Sequence, residues 1–495
     1  MHRFSHGLST LALVAAWAGP ALSDTLAAEV WAEWQAQGAL SGQTINATVT
    51  ETESGLMLSS FTSVMEQEEV SIRAAMDEVV LTENADGTVS ITFSEPYSMV
   101  FTFEVDEGDP PGNIEVLIGH ENLSVTVSGE ASAREYLYVA DVLTISEGRV
   151  WGGGEEPPMF DIDGRLTGLN STYTLTGDDP ESMRFSSDGR LDTASLFVDV
   201  RDQEGHLKVG LVSTGLSGTS EGTLLSLATM NQFAGEVPPG LEISGTTAYE
   251  SFGFEMQFEE PGEMFELAST NQGGSIGFGL SNEAVSYDIA ARGMNTRIGG
   301  SELPVPINIS VAASQFQLAV PLAAGDAPQD VSARLAYEGV TMAEPMWAMF
   351  DPAQAIPRDP ISVILDATAQ VQVMVDLLTL EPDEMDAPPG ELRALTVNEL
   401  NVSAGGASLT GTADLTFAPG QIMPVPQGAA ELQLSGGNAL LDALIAGGLV
   451  PNEQGAFVRG MANVFARPGA APDTLETTVE FGADGSITAN GIPIQ

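Results

Sequence analysis

Carboxylates are the most numerous side chains here that could do chemistry, with 69 Asp and Glu against 16 Lys and Arg. Glycoside hydrolysis needs two of them at a set separation, but with so many present any one pair is weak evidence. Asp106-Glu107-Gly108-Asp109 and Asp383-Glu384-Met385-Asp386 could ligate a hard cation. Neither has the spaced oxygens and closing Glu of a calcium loop, so both read as solvated acidic loops. Of four histidines, His2 and His6 fall in the amino-terminal segment, and His120 and His206 lie near strands, far apart in sequence. A Ser-His-Asp triad needs only one His, but no Gly-x-Ser-x-Gly elbow is read to support it. Both read as surface or strand-edge residues. Cysteine is absent, which excludes disulfides and zinc sites of the usual Cys/His kind. Gly152-Gly153-Gly154 lacks the Lys of a phosphate loop and reads as a linker. Asn46, Asn122, Asn170, Asn308 and Asn401 stand in Asn-x-Ser/Thr patterns to which no role is attached. No catalytic, cofactor or metal site is expected, and the protein is read as not an enzyme.

Some element must nonetheless present a surface, and the sequence points to sheets. Tyr97, Met99, Phe101, Phe103 and Val105 alternate with mostly polar residues. Phe252, Phe254, Met256 and Phe258 alternate with Gly253, Glu255, Gln257 and Glu259, and Leu207, Val209 and Leu211 repeat the pattern. Period two means a half-buried sheet with one wet face. Ile361, Val363, Leu365, Ala367, Ala369, Val371, Val373, Val375 and Leu377 keep one face without interruption, as a strand of roughly 55 Å would. The run Ile307, Ile309, Val311, Ala313 changes phase to Phe316, Leu318, Val320, which predicts a bulge near Ser314. Asp86-Gly87, Asp163-Gly164, Asp188-Gly189, Glu204-Gly205 and Asp484-Gly485 are hairpin candidates. Helices are predicted from Asp24 as cap to about Gln37, over 224–233, 345–350, 439–446 with Asn438 as cap, and 453–466.

Composition bounds the setting. Residues 1–23 carry a basic start at Arg3, an apolar run from Leu8 to Ala18 and the small triplet Ala21-Leu22-Ser23. That is the layout of a secretory signal peptide cleaved after about Ser23, and no transmembrane segment is expected in the mature chain. The expected location is the periplasm. A net charge of -53 repels phosphate backbones and anionic headgroups, so nucleic acid is not an expected partner. A hydrophobic content of 43% is enough for a folded core.

Two stretches carry a resemblance. One is Met346-Trp347-Ala348-Met349-Phe350-Asp351-Pro352 with Ile356-Pro357-Arg358-Asp359-Pro360. The other runs from Leu440-Leu441-Asp442-Ala443-Leu444-Ile445 through Gly448-Leu449-Val450-Pro451 to Asp484-Gly485-Ser486-Ile487-Thr488-Ala489-Asn490-Gly491. With Val30-Trp31-x-x-Trp34 and the leader, these resemble an exported family of Gram-negative bacteria catalogued as domain-of-unknown-function 2125, across nearly the whole mature chain. The resemblance implies no activity and no site residues. The closing hairpin is more weakly similar to AsmA-like periplasmic β-rich proteins, associated with lipid movement. Trp347, Met349 and Phe350 are expected to plug the end of a sheet.

The expected fold is mainly β: a large twisted antiparallel sheet, open or curled into a half-barrel, with a few short capping helices. Residues 24–495 are read as a single domain with a weak boundary near 236–240. The first expected function is non-catalytic binding of an apolar or lipidic ligand, or an envelope partner, on a sheet face bearing Phe252, Phe254, Met256, Phe258, Val363, Leu365, Val371 and Val373. The alternative is an acidic, closed-core interaction protein that binds basic proteins or divalent cations. A carboxylate hydrolase stands third, and would need two buried carboxyls facing each other in a cleft.

Overall fold

The computed structural model describes residues 25–494 except 67–69, 105–109, 154–158, 180–181, 203–204, 228, 230–237, 239, 380–387 and 421–423. Residues 1–23, Asp24, Val105, Gly154, Glu204, both acidic tetrads and most of 236–240 lie outside the described residues. The chain divides into two compact units, Met1–Glu266 and Leu267–Gln495.

In the first unit, α1 (Ala27–Leu40) precedes β1 (Gln43–Thr52), β2 (Gly55–Glu66), β3 (Val70–Glu83), β4 (Val89–Phe93), β5 (Tyr97–Phe103), β6 (Gly112–Glu121) and β7 (Ser124–Ser128). The long strands β8 (Ala133–Trp151), β9 (Met159–Thr176), β10 (Ser182–Arg201) and β11 (His206–Leu225) follow, then β12 (Glu242–Tyr249) and β13 (Ser251–Glu260). The pairings in this unit are antiparallel. The core lies under α1, where Val30 and Trp31 meet Leu58, Phe61, Val79 and Ile91. Trp31 and Trp34 both approach Phe61 edge-on, at 6.2 and 6.4 Å between ring centroids.

The first turn of α1 takes its cap from a distant strand. Ala27 N–H donates to Glu83 Oε1 at 2.9 Å, and the N-cap residue Leu26 offers no side-chain oxygen. One buried charge fixes the helix to the sheet. Arg134 on β8 is almost fully buried, donates from Nη2 to Glu33 Oε1 at 2.6 Å and from Nη1 to Thr25 Oγ1 at 3.2 Å.

The strand β14 (Glu263–Asn271) contains the division between the units. The second unit holds β15 (Gly274–Ser281), β16 (Ala284–Gly300), β17 (Ile307–Pro321), β18 (Gln329–Met342), α2 (Glu344–Phe350), β19 (Ile361–Val373), β20 (Gly390–Ala404), β21 (Ala407–Phe417) and β22 (Pro426–Ser435). It continues with α3 (Gly437–Ala446), α4 (Asn452–Phe465), β23 (Arg467–Pro468), β24 (Thr474–Phe481), β25 (Ile487–Ala489) and β26 (Ile492–Pro493). From β15 to β22 each strand pairs antiparallel with the next, and β24 pairs with β22. The mainly β, antiparallel expectation therefore holds in both units.

Several local expectations are corrected. β19 stops at Val373, because Gly325 N–H caps the Val373 carbonyl at 2.9 Å and the chain turns to put Leu377 N–H on Leu322 O. The longest strands are instead β10 and β11, of 20 residues each. Asp163-Gly164 and Asp188-Gly189 sit inside β9 and β10, where side chains of Ile145 and Ser171 lie across the glycines. Residues 224–225 finish β11, so the helix expected over 224–233 starts later: Leu227 and Thr229 are helical, while 228 and 230–233 lie outside the described residues. Asn438 lies within α3, and Asp473 accepts from the N–H groups of Asn438 and Ala439 in its place.

The phase change in β17 has a different cause from a bulge at Ser314. Its register with β16 is unbroken, and the switch falls at Ala312 between two glycines of left-handed backbone, Gly293 (φ 59°) and Gly339 (φ 65°). Apolar residues sit at odd positions before the crease in β16 (Ile289) and at even ones after it (Ile298); β18 switches likewise from Leu335 and Tyr337 to Val340 and Met342. The first unit repeats the device at Gly168 and Gly215 on either side of Asp192. A left-handed residue costs a non-glycine about 1–2 kcal/mol, and a Cβ on Gly339 would lie 2.8 Å from that of Ala312.

Two outcomes follow for stability. Arg134→Met strands Glu33 beside the core and should cost about 3–5 kcal/mol in urea unfolding, the range for breaking a buried pair. Gly339→Ala should cost about 1–2 kcal/mol by the same measurement, whereas Gly262→Ala, where open space awaits a Cβ, pays the conformational cost without a clash.

Candidate functional site

Register decides which side chains share a face, and in the second unit it lines up apolar residues strand after strand. Ile276 on β15 faces Ile289 on β16, which faces Phe316, then Leu335, Leu365 and Leu400 on β20. Parallel to this row, Tyr337 faces Val363, which faces Val402 and then Leu409. On the other side Phe278, Tyr287 and Leu318 are in register. Such rows normally lie under a second layer. Here Ile276, Ile289, Phe316, Leu335 and Leu365 are each 39–54% exposed, and Phe278, Tyr287, Tyr337 and Val363 also reach solvent. With Leu400 included, the rows span roughly 24 Å across the strands and about 14 Å along them, taking about 4.8 Å per strand and 3.4 Å per residue. It ends where the crease at Gly293, Ala312 and Gly339 turns the apolar side chains to the opposite face.

The reverse face of the same strands is mostly polar around the buried pair Ala336 and Ile364, and its charged groups largely satisfy one another. Arg334 donates to Asp366 Oδ2 at 2.8 Å, to Glu399 at 3.4 Å and to Gln315 Oε1 at 3.1 Å, while Asn398 donates to Asp366 Oδ1 at 2.8 Å. Asn398 and then Arg334 hold the Asp366 carboxyl below its ordinary range. A shallow groove of about 590 Å³ on this side is lined by Asn401, Thr410, Thr412, Glu431 and Gln433, with Arg467 and Asn490 at one end.

The residues singled out in the sequence fall into two groups. Phe252, Phe254, Met256 and Phe258 lie on β13 of the first unit, in register with Ser213, Leu211, Val209 and Leu207. They are half-buried apart from the more exposed Phe258. Val363, Leu365, Val371 and Val373 lie on β19 of the second unit, so the two sets do not share a unit. Val363 and Leu365 are open and Val371 is half-buried, but Val373 is buried and drops out of the accessible face. Ile276, Ile289 and Leu335 were not singled out. Their signal is the same period two, in Ile276-Gly-Phe278, Tyr287-x-Ile289 and Ala333-x-Leu335-x-Tyr337, diluted by glycine and alanine.

Chemistry-bearing groups are elsewhere and mostly committed. His120 Nδ1 lies 2.8 Å from Glu95, and His206 Nε2 lies 2.7 Å from Asp199. Asp161 is held above the usual carboxylate range chiefly by the neighbouring Glu147. Contrary to the sequence reading, the spelling of a nucleophile elbow does occur, at Gly218-Thr219-Ser220-Glu221-Gly222 and Gly273-Gly274-Ser275-Ile276-Gly277, yet Ser220 sits inside β11 opposite Gly245 and Ser275 inside β15 opposite Ala290, so neither stands at a strand-to-helix turn. Among the described residues no three His, Asp or Glu side chains gather to hold a metal ion. Asp351 is the one carboxylate among the buried polar residues of the described set. It accepts from Arg358 Nη1 at 2.6 Å and from the N–H groups of Ala355 and Ile356, while Arg358 lies 4.4 Å over the Trp347 ring. Trp347 is packed as expected and the Phe350 ring lies 4.9 Å from it, though Phe350 is itself exposed, and Met349 points outward.

Taken together, these are mainly β units with one open apolar sheet face and a self-contained polar one. Residues 250–495 match the family model described as an uncharacterized protein conserved in bacteria, domain-of-unknown-function 2125. The match takes in both motif stretches but starts after Trp31 and Trp34, so it is shorter than the resemblance implied. No curated protein matches the chain. Among solved structures, the crystal structure of the ferric citrate transporter FecA in the unliganded form aligns over 91% of this chain and 76% of that one, at 8% identity and a TM-score of 0.13. That score shows no shared fold. No helix of the described residues is long and apolar enough to cross a membrane.

The Asp351 hub gives a pH prediction. Arg358, then the Ile356 and Ala355 amides, keep the carboxyl below its ordinary value, so the ionised form is favoured in the folded state. The stability it contributes is present above about pH 4 and is lost as pH falls through the lowered pKa. The melting temperature of Asp351→Asn should therefore start lower at neutral pH and fall less steeply than that of the native chain between about pH 4 and 2.

Proposed function

We propose that this protein is a non-catalytic carrier that holds the acyl chains of a lipid, or a comparably apolar ligand, on the open sheet face of its second unit, outside the cytoplasm. One observation carries the reading: the in-register row Ile276, Ile289, Phe316, Leu335 and Leu365 remains exposed. Contiguous exposed apolar area is costly for a free protein and marks a surface used for binding. The row supplies branched and aromatic side chains without charge or hydrogen-bonding groups, which suits a hydrocarbon and offers nothing to a polar substrate. The net charge of -53 argues against nucleic acid and against strongly anionic headgroups. The signal-peptide layout of residues 1–23 supports export.

A fluorescent fatty acid is the direct probe. The native chain should bind it saturably. Phe316→Asn and Leu335→Glu each remove a large apolar contact of about 1.5–3 kcal/mol and should weaken binding by roughly tenfold or more, with little change in melting temperature. Thr412→Glu, on the polar face, should leave it unchanged. Equal affinity in all four proteins would sink the proposal.

A further inference from the structure

Helix α4 is packed the wrong way round for a solvated helix. An amphipathic surface helix ordinarily turns its large apolar side chains to the core. On α4 the side facing α3 is small and polar. Gly455 is the buried position, and a Cβ there would sit 2.4 Å from Ile445 Cδ1. Arg459, one turn on, pairs with Asp442 of α3. Four large apolar residues fall on the other side, with Phe457 68% exposed, Val458 50%, Met461 42% and Val464 50%, while Phe465 at the end of the helix is half-buried. Their spacing is one, four and seven residues from Phe457, a single stripe along the helix. Leu449, in the connection from α3, is exposed as well. The Gly455–Ile445 approach and the Arg459–Asp442 pair hold the back of the helix to α3.

From this reversed packing we infer that α4 is a docking element for a lipid surface with uncharged or zwitterionic headgroups. Charge selects this occupant. Within α4 the charged residues are Glu453 and Arg459, so the helix is neutral in a chain of net charge -53. A second copy, an acidic protein and an anionic bilayer would all be repelled by that field. Phe457, Val458, Met461 and Val464 present no hydrogen-bonding group that would fix the orientation of a protein partner, whereas a bilayer asks for none. An interfacial helix enters the headgroup and acyl boundary by about 5–10 Å, which a stripe of side chains on one helix face can reach. The inference concerns a surface separate from the apolar sheet face and does not rest on ligand binding there.

The test is co-sedimentation of the full chain with phosphatidylcholine vesicles. The native protein should pellet with them, and less so as phosphatidylglycerol is added. Phe457→Ser combined with Met461→Ser should reduce vesicle binding by roughly tenfold or more while keeping the fatty-acid affinity of the sheet face and the native circular dichroism. Asn463→Ser, on the same helix, should bind as the native chain does. Should the double variant unfold, Phe457→Trp decides instead, since the fluorescence it adds to that of the native chain should be quenched by brominated phosphatidylcholine. No pelleting of the native protein, an undiminished double variant, no added quenching in Phe457→Trp, or a native dimer that the double substitution dissociates would each overturn the inference.

Discussion

Strand register is the constraint on which everything else depends. A β-strand shows alternate residues to opposite sides, and a slip of one position would exchange the two faces. From β15 to β20 the pairings hold Ile276, Ile289, Phe316, Leu335, Leu365 and Leu400 opposite one another, so six strands read as one apolar row. The same register collects Gln315, Arg334, Asp366 and Glu399 on the reverse, where they satisfy each other. Neither face works without the other: the ion-paired side anchors the strands, and the apolar side is left open.

Glycine sets where that face ends. The left-handed backbone at Gly293 and Gly339, with Ala312 between them, reverses the side on which apolar residues emerge in three neighbouring strands at once. The strands can thus run on beyond the open patch without extending it. The motif stretch after β18 then closes the end of the strands with a buried Asp351 held by Arg358, and Arg358 held against Trp347.

The class of fold was legible because period two survives in almost every strand, and Tyr97–Phe103, Phe252–Phe258 and Ile361–Val373 all proved to be strands. Strand ends were less legible. Val375 continues the alternation of β19, but hydrogen bonds with residues distant in sequence, from Gly325 N–H to Val373 and from Leu377 N–H to Leu322, end the strand. Glycine misled in both directions. Asp163-Gly164 looks like a turn and is strand, whereas Gly293 and Gly339 look like strand and carry the crease. Caps supplied from afar, Glu83 to α1 and Asp473 to α3, leave no local trace either. Of the exposed candidate face, Val363 and Leu365 were the members singled out, and Ile276, Ile289 and Leu335 were missed because small residues between them weaken the pattern. That the face is open rather than covered is a matter of what does not pack on it, which no periodicity encodes.

The central claim is that the open face of the second unit carries apolar ligand. Native mass spectrometry of the protein purified gently from its own compartment, followed by solvent extraction and lipid analysis, tests it most directly. The account predicts a species heavier than the chain by a fixed stoichiometry of lipid, released on extraction and absent from Leu335→Glu. A clean apo mass under conditions that preserve other protein–lipid complexes would contradict it.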